Sequence, residues 1–185
     1  MQYAFIPHRR FRSKFEKITS KAYCAKGLMK VLMVSGDPQI MQSDSSARGR
    51  MRLWASAAEE LHIVVIGAAG VAAAEGNLRL YPARGLPTAF WRVLSLASAI
   101  RPDSITAQEP DETGVIGRLA ARLNRIPFQL QIHTDVMNPR YRRASWKELT
   151  RYWIARFLIP GADCIRVVSQ RIASSLAPRS TLHAP

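Results

Sequence analysis

The sequence predicts a three-layer α/β domain built on a mostly parallel, twisted sheet. Apolar runs of strand length alternate along the chain with amphipathic stretches of roughly 10 to 15 residues, the pattern of βαβ units with right-handed crossovers. Glycine, proline or small polar residues close the runs. The chain has 185 residues, which fits one such unit, since domains hold roughly 100 to 200 residues.

The first strand spans Lys30 to Ser35 and ends in the turn Gly36-Asp37-Pro38. Asp44, Ser45 and Ser46 offer N-cap oxygens to a helix whose Ala47, Met51, Trp54, Ala58 and Leu61 recur at helical spacing. His62 to Gly67 is the second strand, and Asn77 to Tyr81, after the small-residue stretch Ala68 to Gly76, the third. A helix over Leu86 to Ile100 presents Phe90, Leu94, Ala97 and Ile100 on one side, and Pro102 marks its end. Ser104 to Gln108 is the fourth strand, and the helix after it buries Val115, Ile116, Leu119, Ala120 and Leu123. Phe128 to His133 is the fifth strand, Trp146 to Leu158 a helix, and Ile165 to Ser169 the sixth strand, with a short helix starting near Gln170. The whole is a single Rossmann-like domain over residues 29–177.

Lys and Arg number 27 against 13 Asp and Glu, a net charge of +14. Such an excess suits an anionic partner: nucleic acid, a phospholipid surface or a phosphorylated substrate. No nucleic-acid motif accompanies the charge, so no specific nucleic-acid partner is expected. Residues 1–28 hold four of the six lysines and one acid, Glu16, and read as a basic, disordered extension or a misplaced translation start. Residues 178–185 read as a tail at a truncation point. Cys24 and Cys164 match no metal-ligand spacing, so neither a disulfide framework nor a metal site is expected, and Cys164 reads as a small core residue. No run approaches the roughly 20 apolar residues of a membrane-spanning helix. A cytoplasmic protein, peripheral on the inner membrane face if membrane-bound, is the expectation.

An open α/β sheet places its ligand at the carboxyl ends of its strands, which directs attention to three clusters. The turn Ser35-Gly36-Asp37-Pro38-Gln39 has no G-x-G-x-x-G fingerprint and no Walker pattern, which argues against ordinary NAD binding and P-loop chemistry. Gln108-Glu109-Pro110-Asp111-Glu112-Thr113-Gly114 leads straight into a helix. Asp111 or Thr113 is placed to cap that helix, a local role that does not exclude a site in which the same carboxylates and N–H groups hold sugar hydroxyls or an anion. Gln131-Ile132-His133-Thr134-Asp135 presents His133 at the crevice, with Asp135 on the same face if the strand continues. A fourth cluster, Arg140 to Arg156, sets Arg143, Lys147 and Arg151 at four-residue spacing beside Trp146, Trp153 and Phe157. Two readings stand: aromatics in the core with charges in water, or an interfacial helix meeting anionic lipid.

In their order and spacing these pieces resemble the N-terminal domain of family 4 glycosyltransferases of the GT-B architecture. Lys30 to Asp37, Arg48 to Glu60, Ile105 to Gly114, Gln131 to Asp135 and Ala162 to Ser169 carry the resemblance, which spans about residues 29 to 177. It implies half of a GT-B fold and transfer of a sugar from an activated, nucleotide-linked donor to a sugar or lipid-linked acceptor, as in cell-envelope polysaccharide synthesis. It also implies that His133 contacts the transferred sugar. Gly36, Asp37, Glu109, Asp111, Thr113, Gly114, Thr134 and Asp135 are the expected substrate contacts, and Arg143, Lys147 and Arg151 the membrane or anion contacts. No metal and no cofactor are expected, the nucleotide sugar being a substrate. Paired glycines common after the family's first strand are reduced here to Gly36. A second Rossmann domain, with the family's E-x7-E motif and most donor contacts, is missing, so the chain alone is expected to be inactive. The competing expectation is a non-catalytic module that binds a membrane surface or another anionic partner.

Overall fold

The alternation of strand and helix closes into one eight-stranded sheet. A computed structural model describes residues 4–7 and 29–176. Their elements are β1 (Ala4–Pro7), β2 (Lys30–Ser35), α1 (Ser46–Ala55), β3 (Glu60–Ile66), β4 (Ala73–Glu75), β5 (Leu78–Ala83), α2 (Leu86–Ile100) and β6 (Ser104–Ala107). There follow α3 (Glu112–Asn124), β7 (Phe128–Ile132), α4 (Pro139–Ala144), α5 (Trp146–Leu158), β8 (Cys164–Val167) and α6 (Gln170–Leu176). The strand order is β1-β8-β7-β6-β2-β3-β5-β4. β2, β3, β5, β6, β7 and β8 pair in parallel, while β1 and β4 lie antiparallel at the two edges.

Helices cover the sheet on both sides, so the expected three-layer, mostly parallel Rossmann-like domain is the fold. On one face α1 sets Ala47, Met51 and Ala55 against Met33, Ile63, Val65, Leu78 and Leu80. On the other, α2, α3 and α5 bring Val93, Ile116, Ala120 and Leu158 onto Leu32, Val34, Ile105, Leu130 and Ile132. Fully burying a side chain of this size stabilises the fold by about 1.5–3 kcal/mol, so these two layers hold the strand ends in place. Side chains on the α1 face turn polar toward β7: Gln131 donates to Thr106 (3.1 Å), which donates to Gln129 (3.2 Å). Cys164, on the same face of β8, is buried.

Several expected elements shift once packing is known. α1 ends at Ala55, and Leu61 lies within β3 rather than on the helix. β4 is formed from residues that read as a small-residue loop; Glu75 in it accepts from Arg48 (3.1 Å) and Arg52 (2.7 Å) of α1, a long-range reason for a strand that no local pattern announces. α3 buries Ile116, Gly117, Ala120 and Ala121, whereas Leu119 and Leu123 point to solvent. Small residues let α3 approach closely: a Cβ on Gly117 would sit 3.0 Å from Phe128, so the buried stripe follows them and not the larger leucines. Of the stretch 1–28 expected as an extension, Ala4–Pro7 forms β1, paired from Ala4↔Val167 to Pro7↔Cys164. The remainder of that stretch and the expected tail 178–185 lie outside the described residues.

Candidate ligand cleft at the strand ends

From β2 the chain builds outward through β3 to β5, then returns to β2's other side and continues through β6, β7 and β8. The reversal makes the gap between the carboxyl ends of β2 and β6 a topological switch point, where loops diverge and leave a crevice. An open cleft of about 410 Å³ lies there, within the range of roughly 300–1,000 Å³ for small-molecule sites. It is lined by Gly36, Asp37, Arg50, Met51, Trp54, Gln108, Glu109, Asp111, Thr113, His133, Arg166 and Val168.

The β2 side is held by a relay to β6. Ser35 Oγ donates to Gln108 Oε1 and accepts from the Asp37 N–H at 3.1 Å. Asp37 Oδ1 accepts from the Gln39 N–H at 3.0 Å, fixing the turn. Gly36 lies under Thr113, whose Cγ2 would be 3.5 Å from a Cβ there.

Asp111 is the N-cap of α3: its Oδ1 accepts from the Thr113 N–H (2.9 Å) and Oγ1 (2.8 Å). The capping role foreseen for Asp111 or Thr113 thus involves both residues, and both still line the cleft. Thr113 is buried. Gly114 is buried behind it and does not line the cleft; a Cβ there would meet Leu158 Cδ1 at 2.6 Å and the Glu109 carbonyl at 2.9 Å. Its bare backbone is needed for packing α3 behind the cleft.

Glu109 and His133 meet at the centre, with Glu109 Oε1 3.9 Å from His133 Nδ1. Thr134 Oγ1 donates to the same oxygen at 3.4 Å, and the His133 and Thr134 N–H groups also donate to the carboxyl. Burial, with the Asp111 charge nearby, pushes the Glu109 carboxyl up to about 7. Burial also holds His133 below its ordinary value, helped by the Arg166 and Arg50 charges. Near neutral pH the cleft therefore holds a carboxyl that can give or take a proton beside a neutral imidazole, the condition general acid–base chemistry requires.

The rest of the lining comes from elements that the strand-end argument does not reach. Arg50, Met51 and Trp54 project from α1, and Arg166 from β8 lies with its guanidinium 4.9 Å over the Trp54 ring. Arg50 sits inside the Arg48 to Glu60 stretch singled out above and Arg166 inside Ala162 to Ser169. The basic residues in those motifs were the available signal.

Other expected contacts lie outside the cleft. β7 stops at Ile132, so Asp135 does not share the His133 face; it accepts from Ser175 Oγ (2.8 Å) and pairs with Arg171 (3.8 Å). Thr134 is exposed beside Glu109. Arg151 turns inward from α5 to Asp111 and Glu112, 3.7 Å from each, and does not share an outward stripe with Arg143 and Lys147. The reading that puts the α5 aromatics in the core does not hold: Trp146, Trp153 and Phe157 are exposed. They project from the side of α5 opposite its buried Tyr152 and Ala155.

Among the described residues no group of three His, Cys, Asp or Glu is placed to hold a metal ion, and no helix is long and apolar enough to cross a membrane.

Fold and cleft define a Rossmann-like domain with an open, polar-lined cleft at its strand ends. Residues 29–181 match the family described as a glycosyl transferase 4-like domain, and the chain belongs to that family. Among solved structures the chain is similar to the Bordetella bronchiseptica enzyme WbmG in complex with NAD and UDP, at 13% identity and a TM-score of 0.46, covering 72% of this chain and 50% of that one. It is similar to the same enzyme in complex with NAD at 12% identity and a TM-score of 0.47, covering 75% and 52%. The chain thus spans about half the length of those structures. A search of curated proteins finds no match. The expectation from the sequence is of no cofactor beyond a nucleotide-sugar substrate, whereas both WbmG structures are in complex with NAD. The missing glycine fingerprint bears on one way of cradling a pyrophosphate and is no argument against cofactors in general.

Proposed function

We propose that this chain forms the N-terminal, acceptor-side half of a retaining glycosyltransferase that uses a nucleotide-linked donor. A second Rossmann domain would complete the GT-B cleft and supply most donor contacts, and the 185 residues alone would not turn over. The observation that carries the reading is the meeting of His133 with Glu109 at the switch-point crevice, 3.9 Å apart, in a member of the glycosyl transferase 4-like family. His133 would contact the transferred sugar. Glu109, Asp111 and Asp37 would accept from sugar hydroxyls, while Arg50 and Arg166 would face an anionic group of donor or acceptor.

The test pairs this chain with a separately expressed second Rossmann domain carrying E-x7-E and measures nucleoside diphosphate release from a panel of nucleotide sugars. Release that needs both polypeptides and falls at least about a hundredfold in His133→Ala supports the reading. Release by this chain alone, or release indifferent to His133, overturns it.

A further inference from the structure

The water-facing side of α5 is apolar. Trp146, Leu149, Trp153 and Phe157 are 80%, 42%, 61% and 66% exposed. At about 100° per residue the four fall within an arc of about 80°, centred opposite Ala155, which is fully buried in the core. A helix lying on a soluble domain ordinarily puts charge on that arc; here Lys147 and Arg156 are confined to its flanks, and α4 adds Arg140, Arg142 and Arg143 just ahead of it. Against these five cations the two helices carry one acid, Glu148, which is occupied in the α5 N-cap, where it takes a hydrogen bond from Ser145.

We propose that this surface docks on a membrane rich in anionic phospholipid, α5 lying in the plane of the interface with its aromatic stripe among the headgroups. Three features favour lipid over a second copy of the chain. Tryptophan and phenylalanine beside basic residues suit a boundary that is apolar on one side and anionic on the other. A second copy would bring the same cations against themselves. Each Lys or Arg near an anionic bilayer adds attraction that neutral lipid lacks. Arg151, which the four-residue spacing grouped with Arg143 and Lys147, is not part of this surface, because it reaches inward to Asp111 and Glu112. That pairing places α5 beside the N-terminus of α3. The inference does not depend on the proposed reaction.

The full chain is sedimented with vesicles of phosphatidylcholine and with vesicles of phosphatidylcholine mixed with phosphatidylglycerol. Binding to the anionic vesicles alone is expected, weakening with salt. Trp153→Ser combined with Phe157→Ser should weaken it at least about tenfold with every basic residue retained, and Arg143→Gln combined with Lys147→Gln about tenfold. Trp146→Ser, at the most exposed position, serves as a second variant if the double substitution does not fold, and should weaken binding at least about threefold. Wild-type binding by the folded aromatic variants would show that basic residues elsewhere attract the vesicles and would overturn the proposal. Equal binding to neutral vesicles would overturn it, as would a dimer in solution that Trp153→Ser dissociates.

Discussion

Glu109→Gln separates the cost of the buried charge from the value of the bonds that hold it. A carboxyl whose proton is held more tightly in the folded than in the unfolded chain contributes fully below the unfolded value, and that contribution is lost as pH rises through the folded value. For Glu109 the window runs from 4.5 to about 7. At about 1.4 kcal/mol per pH unit the ionised carboxyl disfavours the fold by about 3 kcal/mol above pH 7. With 29% of the side chain exposed, solvent screening brings this to about 2 kcal/mol. Glutamine keeps an oxygen for the His133 and Thr134 N–H donors but cannot ionise. Urea unfolding followed by tryptophan fluorescence should therefore find the variant about 2 kcal/mol more stable than wild type at pH 8 and equal to it at pH 4. A variant less stable than wild type at pH 8 would mean that the donors around Glu109 stabilise the carboxylate by more than burial disfavours it, and would refute the raised value.

Three further perturbations probe the frame around the cleft. Gly114→Ala should lower stability by about 1–3 kcal/mol, because its new methyl meets a backbone carbonyl as well as Leu158; an unchanged denaturation midpoint would show that α3 can move freely. Arg101→Gly should raise stability by about 0.5–1 kcal/mol, since Arg101 caps α2 at φ 51 in the left-handed region, and thermal unfolding would register the gain. Arg151→Met should cost about 1 kcal/mol in the same assay, because its carboxylate pairs are long and the contact chiefly lost is its hydrogen bond with Tyr141. It should leave vesicle binding within about twofold of wild type.

The helices whose boundaries were legible, Leu86–Ile100 and Trp146–Leu158, carry their own stop and start signals. Pro102 follows the first, and Ser145 caps the second through the Glu148 N–H. Which face each buries was less legible, because period alone weighs large apolar residues most. α3 buries its glycines and alanines where close approach pays off in contact, and α5 exposes its largest side chains. His133, Glu109, Asp111, Thr113, Gly36 and Asp37 were visible as cleft residues since each follows the end of a strand. Arg50, Trp54 and Arg166 were not, since a residue on a helix or inside a strand reaches a cleft only through the angle at which its element packs.

The sequence by itself determined the order of the six parallel strands and of the longer helices between them, the class of fold and the crevice end of the sheet, all of which follow from local periodicity and the handedness of βαβ crossovers. Only the tertiary structure decided that Arg151 belongs to Asp111, that Asp135 turns away to Ser175, and that Arg166 stacks on Trp54. Those pairings join residues 40 or more positions apart, and no local pattern encodes them. They are fixed by where the sheet's register and helix packing bring the chain back upon itself.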